Sequence, residues 1–171
     1  PNGKLHKKRK YAEGKIIGKE QKFYNNEGLQ SEFDYSEGVI NGSYTTYHKN
    51  GTKYEEGIAV EGEYDGVIKL YYDDSTIMND FTYTKGKLNG LYKEYDIDGK
   101  LYYEFVYRND EIIEYRYFDK AGNTIANGKK KKGEFYYKGY SPLGDLNTEG
   151  MYDVKGGKKD IWKYYENGVL I

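Results

Sequence analysis

A repeat with a period of 24 residues constrains this chain more than any other feature of its sequence. Glycine recurs at this interval at Gly18, Gly42, Gly66 and Gly90. Self-similarity at a fixed short period is typical of proteins that stack one small structural unit many times. Aromatic columns keep the same interval, among them Phe23, Tyr47, Tyr71 and Tyr95. A second column contains Tyr11, Tyr35, Tyr83 and Tyr107, with Ala59 in the place between Tyr35 and Tyr83.

The repeat is regular over residues 3–114 and irregular over residues 115–171. In the irregular part the interval shortens, since Asp110, Gly133 and Gly156 are each 23 residues apart. The stretch Gly128–Lys132 occupies a strand position but contains no apolar residue. We therefore expect a single repeat domain over residues 1–171, in which the unit around residue 130 is distorted or poorly paired.

Each unit contains two segments of alternating character that are separated by a turn, which is the pattern of a β-hairpin. The turn at residues 97–99 ends in glycine and is typical of a three-residue hairpin loop whose last residue is left-handed. Such a loop predicts that Tyr95 lies opposite Leu101 and that Leu91 lies opposite Phe105. These four side chains would then form one packed face.

These observations predict an all-β fold, an elongated antiparallel β-meander of consecutive hairpins built from repeats of about 24 residues. We expect about a dozen strands, because no segment keeps a helical period over more than about two turns. The mean hydropathy of -1.00 by itself suggests disorder. The 23 tyrosines remove that inference, since tyrosine counts as polar but buries a large ring.

The composition excludes several classes of chemistry. The absence of cysteine excludes disulfides, thiol catalysis and cysteine-ligated metals. A net charge of -1 makes nucleic acid an unlikely partner. His6 and His48 have no ligand-type spacing, and we expect both to be exposed. The acidic residues recur with the repeat or lie in turns, and no phosphate-binding loop is present. We therefore expect a protein that is not an enzyme and needs no cofactor or metal.

Tyrosines also occupy positions that alternate with the predicted packed face. They are good strand formers, so cross-strand pairing explains them without any function. They would equally suit a recognition surface, because tyrosine supplies a large contact area at a low entropy cost. The candidate binding residues are Tyr24, Tyr44, Tyr54, Tyr72, Tyr92 and Tyr102.

Two basic runs stand out. One spans His6–Lys10, and the other consists of Lys129, Lys130, Lys131 and Lys132. A run of this kind attracts anionic lipid, but it is also typical of a solvated strand that resists edge-to-edge pairing. We keep the second run as a candidate basic contact.

Several units resemble a known repeat. The segments Gly42–Gly51, Tyr83–Gly90 and Trp162–Gly168 resemble the MORN-repeat variant of bacterial proteins in the YwqK-like antitoxin family. Residues 128–150 depart from that pattern. The resemblance implies a β-hairpin repeat architecture. It also implies a role as a protein-interaction or membrane-associated module, and an antitoxin function.

We expect a non-enzymatic protein-binding module of antitoxin or immunity type, with a protein partner. The alternative is an exported envelope or surface repeat protein that contacts lipid or glycan. An open sheet end also allows a homodimer. Residues Asn2–Leu5 match Asp98–Leu101, which suggests that natural residues precede Pro1. We accordingly expect either a cytoplasmic protein or an exported one whose signal peptide was removed upstream.

Overall fold

The computed structural model describes residues 3–131, 133–141 and 143–171, and within them it contains β-strands and no helix. The chain divides into two compact units, the first ending at Lys87 and the second beginning at Leu88. The prediction of an all-β antiparallel meander of consecutive hairpins is confirmed. The described residues form sixteen strands rather than about a dozen.

The first unit is one antiparallel sheet in which each strand pairs with the next along the chain, except that the short β6 pairs only with β5. Its strands are β1 (Lys7–Ala12), β2 (Lys15–Phe23), β3 (Leu29–Ser36), β4 (Val39–Tyr47), β5 (Lys53–Val60), β6 (Glu63–Tyr64), β7 (Gly66–Tyr71) and β8 (Ile77–Thr84).

The strands of the second unit begin at the boundary with the first and belong to two sheets. The first sheet contains β9 (Lys87–Tyr95), β10 (Leu101–Arg108), β11 (Glu111–Phe118) and β12 (Thr124–Lys129). The second sheet contains β13 (Phe135–Tyr140), β14 (Leu146–Tyr152), β15 (Lys158–Glu166) and β16 (Val169–Leu170).

Two kinds of turn alternate along the chain. The longer hairpin loops match the prediction, since Tyr95 pairs with Leu101 and Gly99 has a φ of 74°. The shorter turns are two-residue connections in which both residues have positive φ, for example Glu37 at 52° and Gly38 at 87°. Positive φ at both positions is the type I′ geometry that matches the twist of antiparallel strands.

A β-bulge follows six of the longer loops, and it moves side chains to the face opposite to the one predicted. In β10, Leu101 pairs with Tyr95 and Tyr103 pairs with Glu94, so that Tyr102 is an extra residue. The bulge shifts the later register by one, and Phe105 lies opposite Tyr92 rather than Leu91. The predicted Leu91–Phe105 pair is therefore wrong. The extra residues of the six hairpins are Gln30, Tyr54, Met78, Tyr102, Ile125 and Asn147.

The corrected register gives the first unit an aromatic face, which we define by Phe33, Tyr44, Ile68 and Phe81. Tyr44 lies opposite Phe33, and the two rings stack with centroids 5.6 Å apart. Ile68 is fully buried and Tyr44 is 3% exposed. Gly57 makes this packing possible, because a Cβ there would lie 2.3 Å from Ile68 Cδ1.

In the second unit the aromatic cluster is buried between the two sheets. Its buried members are Phe105, Tyr115, Tyr117 and Phe135, and Phe135 belongs to the second sheet. The ladder breaks between β12 and β13, where an isolated bridge joins Lys131 and Glu134. The expected irregular pairing near residue 130 is therefore confirmed. The break lets the second sheet cover the rings of the first.

Tyr115 connects the two sheets of the second unit across this break. Its hydroxyl accepts the Lys138 N–H at 3.0 Å and donates to the Tyr136 carbonyl at 3.3 Å. Gly128 lies opposite Tyr115, and a Cβ at Gly128 would lie 2.3 Å from Tyr115 Cε1. The glycine thus lets the ring pass over β12, and the phenol satisfies backbone groups of β13 that no strand ladder reaches.

Candidate functional site

The six candidate tyrosines do not form one surface. Tyr44 lies on the same face as its partner Phe33, and Tyr92 lies on the same face as its partner Phe105. The prediction placed each tyrosine on the face opposite to its phenylalanine. Burial is the largest cause of the raised pKa of Tyr44, and its hydrogen bond to Glu55 at 2.6 Å adds to it. The prediction that Tyr44 belongs to an exposed surface is wrong, because the bulges change which residues share a face.

Tyr54 and Tyr102 are bulge residues. Tyr54 is 39% exposed, and its ring contacts His48 edge-on with centroids 5.1 Å apart. Tyr102 is half-buried and donates its hydroxyl to the Tyr140 carbonyl. Of the six candidates, only Tyr54 is exposed.

Tyr24 and Tyr72 occupy the first position of two longer loops. Tyr24 donates its hydroxyl to the Tyr47 carbonyl at 2.6 Å, which joins neighbouring hairpins. The backbone N–H of Tyr72 donates to the Thr76 carbonyl at 2.9 Å and closes its loop. Both side chains are half-buried, and the hydroxyl contact of Tyr24 gives that residue a role in holding two hairpins together.

The two histidines differ from each other. His6 is exposed as predicted. His48 is half-buried, and its Nε2 lies 3.0 Å from the Tyr71 carbonyl, so the prediction of an exposed His48 is wrong.

The lysine run of the second unit is partly neutralised. Lys129 Nζ lies 3.0 Å from Glu114 Oε2. Lys130 forms an ion pair with Glu111, and its side chain is 11% exposed. Lys131 is held by backbone hydrogen bonds with Glu134. Lys132 lies outside the described residues. The run therefore offers fewer free charges to an anionic surface than its sequence suggests.

The opposite side of the first unit is a polar face, which we define by Glu32, Thr45, Glu56 and Lys69. Its acidic residues are held by tyrosines of the next repeat. Tyr47 donates to Glu32 at 3.3 Å, and Tyr71 donates to Glu56 at 2.5 Å.

The contacts of Glu56 shift two pKa values, its own and that of Tyr71. Burial and then the hydrogen bond to Glu56 raise the pKa of Tyr71 to about 12. Lys53, which lies 2.6 Å from Glu56, is the largest cause of the lowered Glu56 pKa. Glu56 is thus held as a carboxylate by its contacts with Tyr71 and Lys53.

A groove crosses this polar face, and we call it the polar-face groove. Its volume is about 250 Å³, and it is lined by Ser43, Thr45, Glu56, Ile58, Val67 and Lys69. Ile58 is 49% exposed and Val67 is 51% exposed. The groove therefore presents two branched apolar side chains between polar walls.

The sequence analysis did not identify Ile58 and Val67 as candidates, although a signal was present. One repeat away from Ile58 stand Asp34 and Thr82, and one repeat before Val67 stands Ser43. At Ile58 the neighbouring repeats on both sides are polar, whereas the column of Val67 continues with the apolar Leu91, and at neither position does burial explain the apolar side chain. An exposed apolar side chain at a position that is polar in a neighbouring repeat is a feature expected of a binding surface.

The described residues hold no group of three or more histidine or acidic side chains arranged to bind a metal ion. They also include no helix that is long and apolar enough to cross a membrane. In comparisons with known proteins, no family model matches this chain and no curated protein is significantly similar to it.

Proposed function

We propose that this chain is a non-enzymatic protein-binding module that uses the polar-face groove as its contact surface. The observation that carries the proposal is that Ile58 and Val67, which are 49% and 51% exposed, line the same groove. Burying these side chains against a partner would remove apolar surface from water, which contributes about 25 cal/mol per Å². The sheet around them already holds its acidic residues in place, so little ordering is needed on binding.

The antitoxin or immunity role is a further part of this proposal. It is supported by the resemblance of the repeat units to the MORN-repeat variant. A partner of that kind would be a protein, and a rigid sheet with an apolar groove suits the recognition of a folded surface.

The experiment is a pull-down from native lysate and envelope fractions with the tagged chain as bait, followed by quantitative binding of the recovered protein. Val67→Glu should weaken that binding by about fivefold or more, because an anchor residue commonly contributes more than about 1 kcal/mol. The matched control is Val39→Glu, since Val39 is 47% exposed but lies outside the groove. Equal effects of the two substitutions, or no stoichiometric partner at high salt, would contradict the proposal.

A further inference from the structure

A second concave site lies entirely within the second unit, and we call it the unit-two cleft. Its volume is about 430 Å³, within the range of roughly 300–1,000 Å³ that is usual for small-ligand sites. Tyr107 and Tyr152, both half-buried, form part of its lining, and the lining residue Phe135, which is only 6% exposed, stacks with Tyr152 at a centroid distance of 5.2 Å. Rings therefore supply one side of the cleft.

The rim of the cleft carries both hydrogen-bond donors and hydrogen-bond acceptors. Asn109, Asp110 and Lys155 are exposed there. One Asp110 carboxylate oxygen accepts the Leu88 N–H at 2.8 Å, which leaves the other oxygen for a ligand. The amide of Asn109 both donates and accepts, and the Lys155 ammonium donates.

The wall that joins these groups is held in place by contacts of its own. Lys130 forms an ion pair with Glu111 and donates to the Val154 carbonyl at 3.2 Å. The loop that follows is closed by Asp153, whose Oδ1 accepts the Gly157 N–H at 2.9 Å. The cleft is thus preformed, and the Glu111 charge is already neutralised.

We propose that the unit-two cleft binds a neutral pyranose ring, either as a free sugar or as a unit of a glycan. A pyranose has a C–H face that packs on aromatic rings and hydroxyls that donate and accept hydrogen bonds. One carboxylate, one amide and one ammonium around the rings match that chemistry. Asp110 and Lys155 bring opposite charges to the rim, so a ligand of either sign gains little net attraction there. This proposal goes beyond the protein-binding function and uses a different surface.

The test is an NMR titration of the full chain with methyl glycosides of glucose, galactose, mannose and N-acetylglucosamine. Lysine amide and inorganic phosphate serve as cationic and anionic probes. We expect saturable shifts of the amides at residues 107–112 and 152–156 with at least one glycoside, and none with either charged probe. Absence of binding by every glycoside, or shifts confined to other residues, would overturn the proposal, as would tighter binding of a charged probe in the cleft.

A substitution at the rim and its matched control sharpen this test. Lys155→Met should weaken glycoside binding by about tenfold, because it removes a charged hydrogen-bond donor. Lys120→Met is the matched control, since Lys120 is exposed in the same unit but outside the cleft lining, and it should leave binding unchanged. Equal effects of the two would overturn the assignment.

The substitution Asp110→Asn distinguishes a sugar ligand from a cationic ligand. The amide keeps the acceptor for the Leu88 N–H and tolerates the φ of 69° at this position. Glycoside binding should fall only a few-fold, whereas binding of a cation would be lost. Because Val67 lies on the other unit, loss of partner binding in Val67→Glu with intact glycoside binding would separate the two proposals.

Discussion

At the residue scale, the longer loops differ in whether glycine occupies their left-handed position. Gly51 and Gly99 occupy the left-handed position with φ of 91° and 74°. Ser75 occupies the same position with φ of 75°, and Glu27 with φ of 67°. A residue with a Cβ costs roughly 1–2 kcal/mol in this conformation, so two loops of the first unit are strained.

Ser75→Gly should therefore raise the free energy of unfolding. The gain is about 0.5–1 kcal/mol, because relief of strain exceeds the added entropy of the unfolded chain. The measurement is urea denaturation followed by circular dichroism. Gly51→Ser is the reciprocal control, since no atom lies within 4 Å of a Cβ there and the cost comes from the backbone alone. A stabilising Gly51→Ser would contradict the argument.

A second residue-scale feature is the acidic group of Glu149, which is 7% exposed in the second unit. Tyr165 donates to Glu149 Oε1 at 2.8 Å, and Lys163 Nζ lies 3.2 Å from the same atom. The Tyr165 hydrogen bond is the largest cause that lowers the pKa of Glu149, from an ordinary value of 4.5 to about 2. The folded state therefore favours the carboxylate form.

A lowered folded-state pKa gives a stability contribution that is present above about pH 4.5 and is lost as the pH falls towards 2. Glu149→Gln should lower the stability at neutral pH and flatten its dependence on pH across that window. Thermal unfolding at a series of pH values measures both effects. Glu166→Gln, at an exposed position of the same sheet, should change neither. An unchanged acid dependence in Glu149→Gln would refute this reading.

At the element scale, glycines under aromatic rings decide how strands pack. Gly57 lies beneath Tyr44 and Ile68 in the first unit, and Gly128 lies beneath Tyr115 in the second. A strand glycine normally weakens a sheet, since it has no side chain to pack. Here the ring of the neighbouring strand fills that space, and in the second unit the same ring reaches the backbone of β13.

Gly128→Ala should destabilise the second unit by about 1–3 kcal/mol, because the new methyl group overlaps the Tyr115 ring. Hydrogen exchange should also become faster at the Lys138 N–H, which donates to the Tyr115 hydroxyl. The double variant with Tyr115→Leu tests the cause. Its effect should be smaller than the sum of the two single effects, since a shorter side chain removes the overlap. Strict additivity would show that the two residues do not interact in this way.

At the scale of the whole molecule, tyrosine makes the fold sensitive to alkaline pH. Burial is the largest cause that raises the pKa of Tyr44, Tyr103 and Tyr117, which lie in both units. In the unfolded chain a tyrosine ionises near pH 10. A raised folded-state pKa contributes stability that is fully present below about pH 10 and is lost as the pH rises beyond it.

We therefore expect the chain to unfold cooperatively at alkaline pH. Most tyrosinate should appear together with the loss of the β-sheet signal, because the buried phenols ionise only after the sheet opens. Ultraviolet absorbance and circular dichroism recorded on one pH titration compare the two events. Full ionisation while the sheet signal persists would contradict the burial of these rings.

The sequence by itself determined the order of the strands and the places where the chain turns. Glycine columns such as Gly38 and Gly99 mark positions with positive φ, which is a local requirement of the backbone and is visible in the residue type. The irregularity near residue 130 was equally visible, because a run of lysines cannot replace apolar strand residues. Hairpins between neighbouring segments then follow from short connections.

Only the tertiary structure decided which side chains share a face. A β-bulge adds one residue, such as Tyr102, and reverses the alternation of everything that follows in the strand. Predicted packed residues such as Leu91 consequently become 42% exposed, while Tyr44 becomes buried. The polar-face groove and the unit-two cleft depend on this register and on the break after β12. They arise from pairings between distant residues, which the local pattern of the sequence does not contain.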